Sequence, residues 1–274
     1  MKLNNHIKSI AIGSFDGIHI AHQKLISQAQ AVVIIEKHQA TITPGFKRVE
    51  YINKPSFFYL FDKIKSLSAK EFIDRLHMDF PMLQKIVVGY DFVFGHNKEG
   101  NTQLLKELFN GEVQVIDEVI FGNISVHSCI IKDYIATGDI ELANALLNHP
   151  YKISGNIIKG QGIGKKELVP TINIEVKNNY ILPKHGVYAT KTLIDNQWLP
   201  SVSFLGHRAI SDNSFAIETH ILDREIEVTK GDIELKFIAF IRPNREFDDF
   251  ESLREQIQRD IRIAKRRNKQ SQED

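Results

Sequence analysis

The feature that most limits what this chain can fold into is a change of rhythm at His149-Pro150. Before it, short apolar runs alternate with segments of helical period. Ile7–Ile12 and Val32–Ile35 read as strands, with a helix between them beginning at His22. Ser68-Ala-Lys-Glu71 has the form of a capping box and opens a helix through about Leu76. Lys85–Val88 reads as a buried strand, Asn101 caps a helix through Leu108, Val113–Val119 is strand-like, and Asp139 caps a helix through Leu147. Such alternation predicts a parallel sheet of α/β type. After the break, Tyr151–Ile158, Thr171–Val176, Gly186–Ile194, Phe215–Leu222 and Ile233–Ile241 read as strands separated by Gly, Pro, Asn and Asp. No long helix interrupts them, which predicts a small antiparallel β-barrel. Phe250, Leu253, Ile257 and Ile261 then recur at helical spacing, giving a closing helix one apolar face to lay on the barrel. The basic run Lys265–Lys269 reads as part of a solvated polar tail. Two domains follow, 1–147 and 148–274, with the boundary near Asn148–Lys152.

Bulk properties narrow the function. The 274 residues suffice for two ordinary domains, and 42% hydrophobic content allows a real core. Thirty-five Lys and Arg against 34 Asp and Glu leave a formal charge of +1, so no global basic field points to nucleic acid or a membrane surface. Cys129 is the only cysteine, which excludes an intrachain disulfide and a thiolate metal cluster. The start, MKLNNHIKSIAIGSFDG, lacks the pattern of a secretory leader, and no apolar run approaches bilayer-spanning length. The expectation is a soluble cytoplasmic protein whose partners are small molecules.

The segment Gly13–His22, GSFDGIHIAH, joins an apolar strand to a helix. Ligands of parallel sheets bind beyond the carboxyl ends of strands, and a helix N-terminus offers free N–H groups to phosphate. Gly13 and Gly17 permit tight turns and close backbone approach. One histidine here would read as a surface or capping residue; His19 and His22, three apart, can aim two rings at the same phosphate oxygens. The segment resembles the G-x-F-D-G-x-H-x-G-H signature of nucleotidylyltransferases, and in particular the bacterial bifunctional riboflavin kinase/FMN adenylyltransferases, or FAD synthetases. The resemblance implies a Rossmann-like nucleotidylyltransferase domain in which Gly13, Phe15, Asp16 and Gly17 bind nucleotide and His19 and His22 act in catalysis. Lys85–Gly100, KIVVGYDFVFGHNKEG, is similar to the family's V-G-x-D-F-x-F-G run. Asp91 stands at a strand end, where it can bond substrate or help hold Mg²⁺, and Phe92 can pack on a flat ring system; Phe94 fits core packing better. Val126–Lys132 aligns with the family's I-S-S-T-x-I-R, keeping Ser128, Ile131 and a positive charge at Lys132, which cannot make arginine's two-pronged bond. Ala21 stands where the family has Gly, and Ile35–Gln39 lacks the family's prolines.

In the second half, Gly160, Gly162 and Gly164 precede Lys165, a loop able to wrap phosphates though not a P-loop. Thr171 and Asn173 alternate to one side of a strand and offer hard oxygen ligands suited to Mg²⁺. This resembles the riboflavin kinase signature, a Gly-rich loop followed by G-F-P-T-A-N. Leu182–Tyr188 matches the family's L-P-x-x-G-V-Y. On Phe215–Leu222, Glu218 and His220 share one face; the E-T-H-I run matches the family strand that carries the catalytic glutamate, so the resemblance makes Glu218 the general base and leaves His220 structural. With ATP as co-substrate and Mg²⁺ as cofactor, the implied reactions are riboflavin to FMN and FMN to FAD with release of pyrophosphate. A kinase with an impaired adenylyltransferase domain and a non-catalytic flavin-binding regulator are the alternatives.

Overall fold

β1 (Ser9–Gly13) is apolar at its centre, where Ile10, Ala11 and Ile12 are fully buried. A strand covered on both faces is what a parallel sheet with helices on each side requires. The computed structural model describes residues 6–37, 39, 41–159, 169–207, 215–224, 226 and 230–273. Following β1 come α1 (Ile20–Ser27), β2 (Ala31–Glu36), β3 (Ser56–Leu60), α2 (Phe61–Ile64), α3 (Ala69–Asp79), β4 (Lys85–Gly89), α4 (Thr102–Leu108) and β5 (Glu112–Ile116). The five strands run parallel in the order β3-β2-β1-β4-β5. The order reverses between β1 and β4, and that is where such sheets hold ligands. One core layer joins Phe72, Leu76, Phe80 and Phe109 to one face of the sheet; the other joins Phe15, Ile18, Leu25 and Ile26 to the opposite face. The expected capping box is present: Ser68 Oγ accepts from the Glu71 N–H, and the Glu71 carboxylate accepts from the Ser68 N–H at 2.7 Å. Asn101 Oδ1 likewise accepts from Gln103 and Leu104 at the start of α4.

After a short hairpin, β6 (Ile120–Phe121) and β7 (Ile124–Ser125), come α5 (Ser128–Thr137) and α6 (Ile140–Leu147). Asp139 precedes α6 but does not cap it; its carboxylate accepts from Thr137 Oγ instead. The chain forms two compact units, Met1–Ser128 and Cys129–Asp274. α6 is tied to the barrel strands of its own unit: Asn144 donates to the Phe237 carbonyl at 2.9 Å and accepts from the Tyr151 N–H at 2.7 Å.

The second unit is built on a closed antiparallel barrel of β8 (Lys152–Ile158), β9 (Ile172–Val176), β10 (Gly186–Ile194), β11 (Gln197–His207), β12 (Phe215–Ile221) and β13 (Asp232–Pro243). β11 was not expected. It follows β10 through Asp195-Asn196, both with positive φ, the two-residue turn that matches strand twist. Its inward side chains include Ser201 and Ser203, which meet Thr190, Thr192 and Thr219 in a ring of five hydroxyls bonded edge to edge, all at most 1% exposed. On the outer wall, Lys191 lies directly opposite Lys236, and Lys236 opposite Lys152. Lys236 sits 3.8 Å over the Trp198 ring, and Lys152 pairs with Glu234 at 2.9 Å.

α7 (Phe250–Glu273) closes the barrel and corrects two expectations. Lys265–Lys269 is helical, not tail: Ala264 and Asn268 continue the buried face, Lys265 pairs with Asp223, and Arg267 pairs with Glu141 at 3.6 Å. Phe250 is exposed, and much of the buried face is polar, with Gln256, Asp260 and Asn268 at most 8% exposed. Arg242 on β13 donates to both Asp260 oxygens, at 2.8 to 3.0 Å, and Gln256 donates to Asp260 at 2.7 Å. Among the described residues no helix is long and apolar enough to cross a membrane.

Candidate functional site

The turn after β1 is held in an unusual conformation. Phe15, Gly17 and Ile18 all have positive φ, which for a buried phenylalanine and an isoleucine is strained backbone. Burial compensates: Phe15 and Ile18 are at most 1% exposed and anchor the turn in the core. Between them, Asp16 Oδ1 accepts from the N–H groups of Ile42 and Thr43 at 2.8 and 3.1 Å, tying a distant segment to the turn. Ser128 Oγ donates to the Asp16 carbonyl at 2.8 Å. Ser128 is therefore pinned to the same turn and serves it rather than acting only as a helix cap.

His19 caps α1, its Nδ1 accepting from the His22 N–H at 3.4 Å. The two imidazoles stack with centroids 3.5 Å apart, and the Phe15 ring meets His22 edge-on at 5.2 Å. Burial, and then the neighbouring His19, Arg48 and His127, hold His22 well below its ordinary value of 6.5. At neutral pH it is an uncharged imidazole, a hydrogen-bonding group rather than a cation. Its Nδ1 is buried without a hydrogen-bond partner among the described residues, as are Thr41 Oγ1 and Arg48 Nε.

Sequence reasoning missed Arg48. It lies in a 3₁₀ turn, Gly45–Tyr51, is 1% exposed, and pairs with Glu36 at the carboxyl end of β2. Burial lowers its pKa while the Asp16 charge opposes that shift. No local pattern in TPGFKRVEY marks it; only the folding of residues 41–51 back over the strand ends brings it there.

At the end of β4, Asp91 is exposed, and His127 bridges toward it and toward Glu118, 4.0 Å from each. Tyr90 OH lies 3.1 Å from the same ring. Phe92 stacks on Phe94 at 5.7 Å, and Phe94 packs in the core as expected. Lys132 falls in the second unit, half-buried on α5.

In the barrel, Glu218 on β12 stands directly opposite Asn173 on β9 and Phe204 on β11. The inward side chains of β12 are Ile217, Thr219 and Ile221, so Glu218 lies on the outer wall. There Val169, Phe204, Leu222, Ile257 and Ile261 form one apolar cluster with α7. Asn173 is 7% exposed and Thr171, two residues before it, is exposed. His220 Nδ1 lies 2.8 Å from the Pro170 carbonyl, fixing the chain just ahead of Thr171. Register thus brings Glu218, Asn173 and Thr171 together from segments far apart in sequence. Gly160, Gly162, Gly164 and Lys165 lie outside the described residues.

A family model described as riboflavin kinase matches residues 147–268, and one described as FAD synthetase matches residues 30–129, beginning after the histidine turn. A bifunctional riboflavin kinase/FMN adenylyltransferase of Buchnera aphidicola subsp. Acyrthosiphon pisum is 31% identical over 94% of this chain and 92% of its own. Its Listeria monocytogenes namesake is 28% identical over 92% of this chain and 90% of its own. A solved chain from Streptococcus pneumoniae, named a macrolide-efflux protein, superposes with a TM-score of 0.85 at 23% identity, covering 96% of this chain and 95% of its own. At that identity the likeness carries the fold alone.

Proposed function

This chain belongs to the bifunctional riboflavin kinase/FMN adenylyltransferase family, transferases of flavin-nucleotide synthesis, and on that premise we propose a division of labour between two sites. The observation that carries it is the separate assembly of the two residue sets, each inside its own compact fold. His19 and His22 close a strained turn at a helix N-terminus; Glu218 and Asn173 meet across two barrel strands.

In the barrel, Glu218 takes the proton from the riboflavin 5′-hydroxyl. The oxygen bonds to the γ-phosphorus of ATP, and the bond to the β-phosphate oxygen breaks, leaving FMN and ADP. Thr171 and Asn173 fit Mg²⁺: both are hard oxygen donors on one side of a strand, beside the proposed base, and Mg²⁺ accepts few protein ligands. Bound there with the nucleotide, it would neutralise phosphate charge. Phe204 and the apolar cluster beneath α7 offer the flavin ring a nonpolar wall.

In the first unit, an FMN phosphate oxygen attacks the α-phosphorus of ATP, and the bond to pyrophosphate breaks. No covalent enzyme intermediate is required. Positioning by the Gly13–Gly17 backbone and hydrogen bonds from His19 and neutral His22 stabilise the leaving phosphates. Asp91, Phe92 and Ser128 complete the proposed nucleotide and flavin contacts of this unit.

The test is chromatography of flavins after incubation with riboflavin, ATP and Mg²⁺. The expected product is FAD. Glu218→Ala should stop FMN formation while supplied FMN is still converted; His22→Ala should do the converse. A single variant that removes both activities from a folded protein would break the two-site division. Binding without product would favour a regulator.

A further inference from the structure

Residues 41–48 carry a feature that adenylyl transfer as set out above does not use. Arg48 is all but inaccessible, so its ion pair with Glu36 is made out of water. A buried pair of this kind is a poor way to gain stability, because desolvation offsets most of the attraction. Here one guanidinium N–H, at Nε, also lacks a partner among the described residues. The cost is borne at the carboxyl ends of β1 and β2, where Asp16 holds the 42–43 backbone and His22 stacks on His19.

We propose that Arg48 is a positioning residue for adenylyl transfer, acting through Asp16 and His22 rather than on the nucleotide itself. The inference rests on the reading of His19 and His22 as the transfer site. Two linked roles follow from a buried charge set beside this clamp. Its positive charge attracts the Asp16 carboxylate, so the clamp on Ile42 and Thr43 stays in one arrangement. Burial, and then His19, keep a proton off His22, and the Arg48 charge adds to this together with His127. The charged and titratable groups around His22 are thus His19, Arg48 and His127, with Asp16 and Glu36 balancing Arg48. A neutral His22 keeps a free lone pair and one N–H, and so presents a directed bond to phosphate rather than a mobile charge.

The test uses the full-length protein. Arg48→Met removes the charge, Arg48→Lys keeps it, and the double variant Glu36→Gln/Arg48→Met removes both members of the buried pair, leaving neither stranded should the single variant fail to fold. Three readouts are taken: the His22 ring titration by NMR from about pH 5 to about pH 8, the pH profile of FMN-to-FAD conversion, and riboflavin phosphorylation as the internal reference. With Arg48→Met or the double variant, His22 should titrate at higher pH and the acid limb of adenylyl transfer should move up with it. The kcat should fall on the order of 10- to 100-fold, more than the KM for ATP rises. Arg48→Lys should stay near the parent in the titration, and riboflavin phosphorylation should be unchanged in all three. An unshifted His22 titration and an unshifted pH profile in the charge-removing variants would overturn the proposal, leaving Arg48 a merely structural ion pair. His22→Ala separates this failure from failure of the site reading: if that variant converts FMN normally, the reading itself is wrong.

Discussion

The hold of α7 on the barrel can be tested at one carboxylate. Asp260 is 3% exposed and receives Nε and Nη2 of Arg242 and Nε2 of Gln256. Asp260→Ala removes every one of these acceptors while leaving the donors in place. Stripping one partner from a buried ion pair costs about 3–5 kcal/mol. The Arg242 side chain retains 18% exposure and its bond to the Pro243 carbonyl, so water can reach part of it and the low end applies. The expected loss is about 3 kcal/mol, more than a ~100-fold change in the folded ratio. Asp260→Asn keeps an acceptor but no charge and should lose roughly half as much. The assay is urea unfolding followed by fluorescence of Trp198, the only tryptophan, which lies in β11 and so reports on the barrel. Because α7 packs with Phe204 and Val169 beside Glu218, the KM for riboflavin should rise while FMN-to-FAD conversion holds. A loss below about 1 kcal/mol would put the pair in the range of an exposed bridge and refute the reasoning.

Other consequences are open to measurement. Lys191→Glu replaces a like-charged neighbour of Lys236 with an opposite one, and the barrel should gain about 0.5–1 kcal/mol, seen as a rise in Tm; an unchanged or lower Tm contradicts it. Thr219→Val opens the hydroxyl ring and strands a donor of Ser203, for a loss of about 1–3 kcal/mol in the same urea assay. His22 has its folded pKa below the unfolded value of 6.5, so unfolding takes up a proton there. Its contribution to stability is complete above about pH 6.5 and is lost as pH falls toward the folded value. The difference in unfolding free energy between the parent and His22→Gln, read by circular dichroism, should therefore shrink on acidification; a constant difference would show that His22 is not held neutral.

Much of the architecture could be read from residues alone, and what escaped did so for physical reasons. Ser68–Glu71 and Asn101 are local signals, and both caps form as expected. β11 escaped because its inward positions include Ser201 and Ser203 and its outward ones Pro200, so it lacks apolar alternation. β3 escaped because SFFYL, at the sheet edge, shows no period of two. The extent of α7 escaped because the buried face past Ile261 passes through Asn268, a polar residue bonded to the Ser201 and Ala264 carbonyls. At the sites, motif residues were legible but their supports were not. Ser128 reaches Asp16 across 112 positions, and Arg48 reaches Glu36 across 12.

The five hydroxyls inside the barrel have one further consequence. Each possesses a single hydrogen and has two neighbours in the ring, and Ser203 donates to Thr219. That one assignment orients all the others: Thr219 must donate to Thr192, Thr192 to Ser201, Ser201 to Thr190, and Thr190 back to Ser203. The bonds therefore circulate in one sense, each polarising the next, and the bond dipoles largely cancel around the loop. No hydrogen can turn alone, since reversal requires all five to turn together. These hydroxyl hydrogens should exchange with solvent only when the barrel itself opens, which makes them an intrinsic clock for its unfolding.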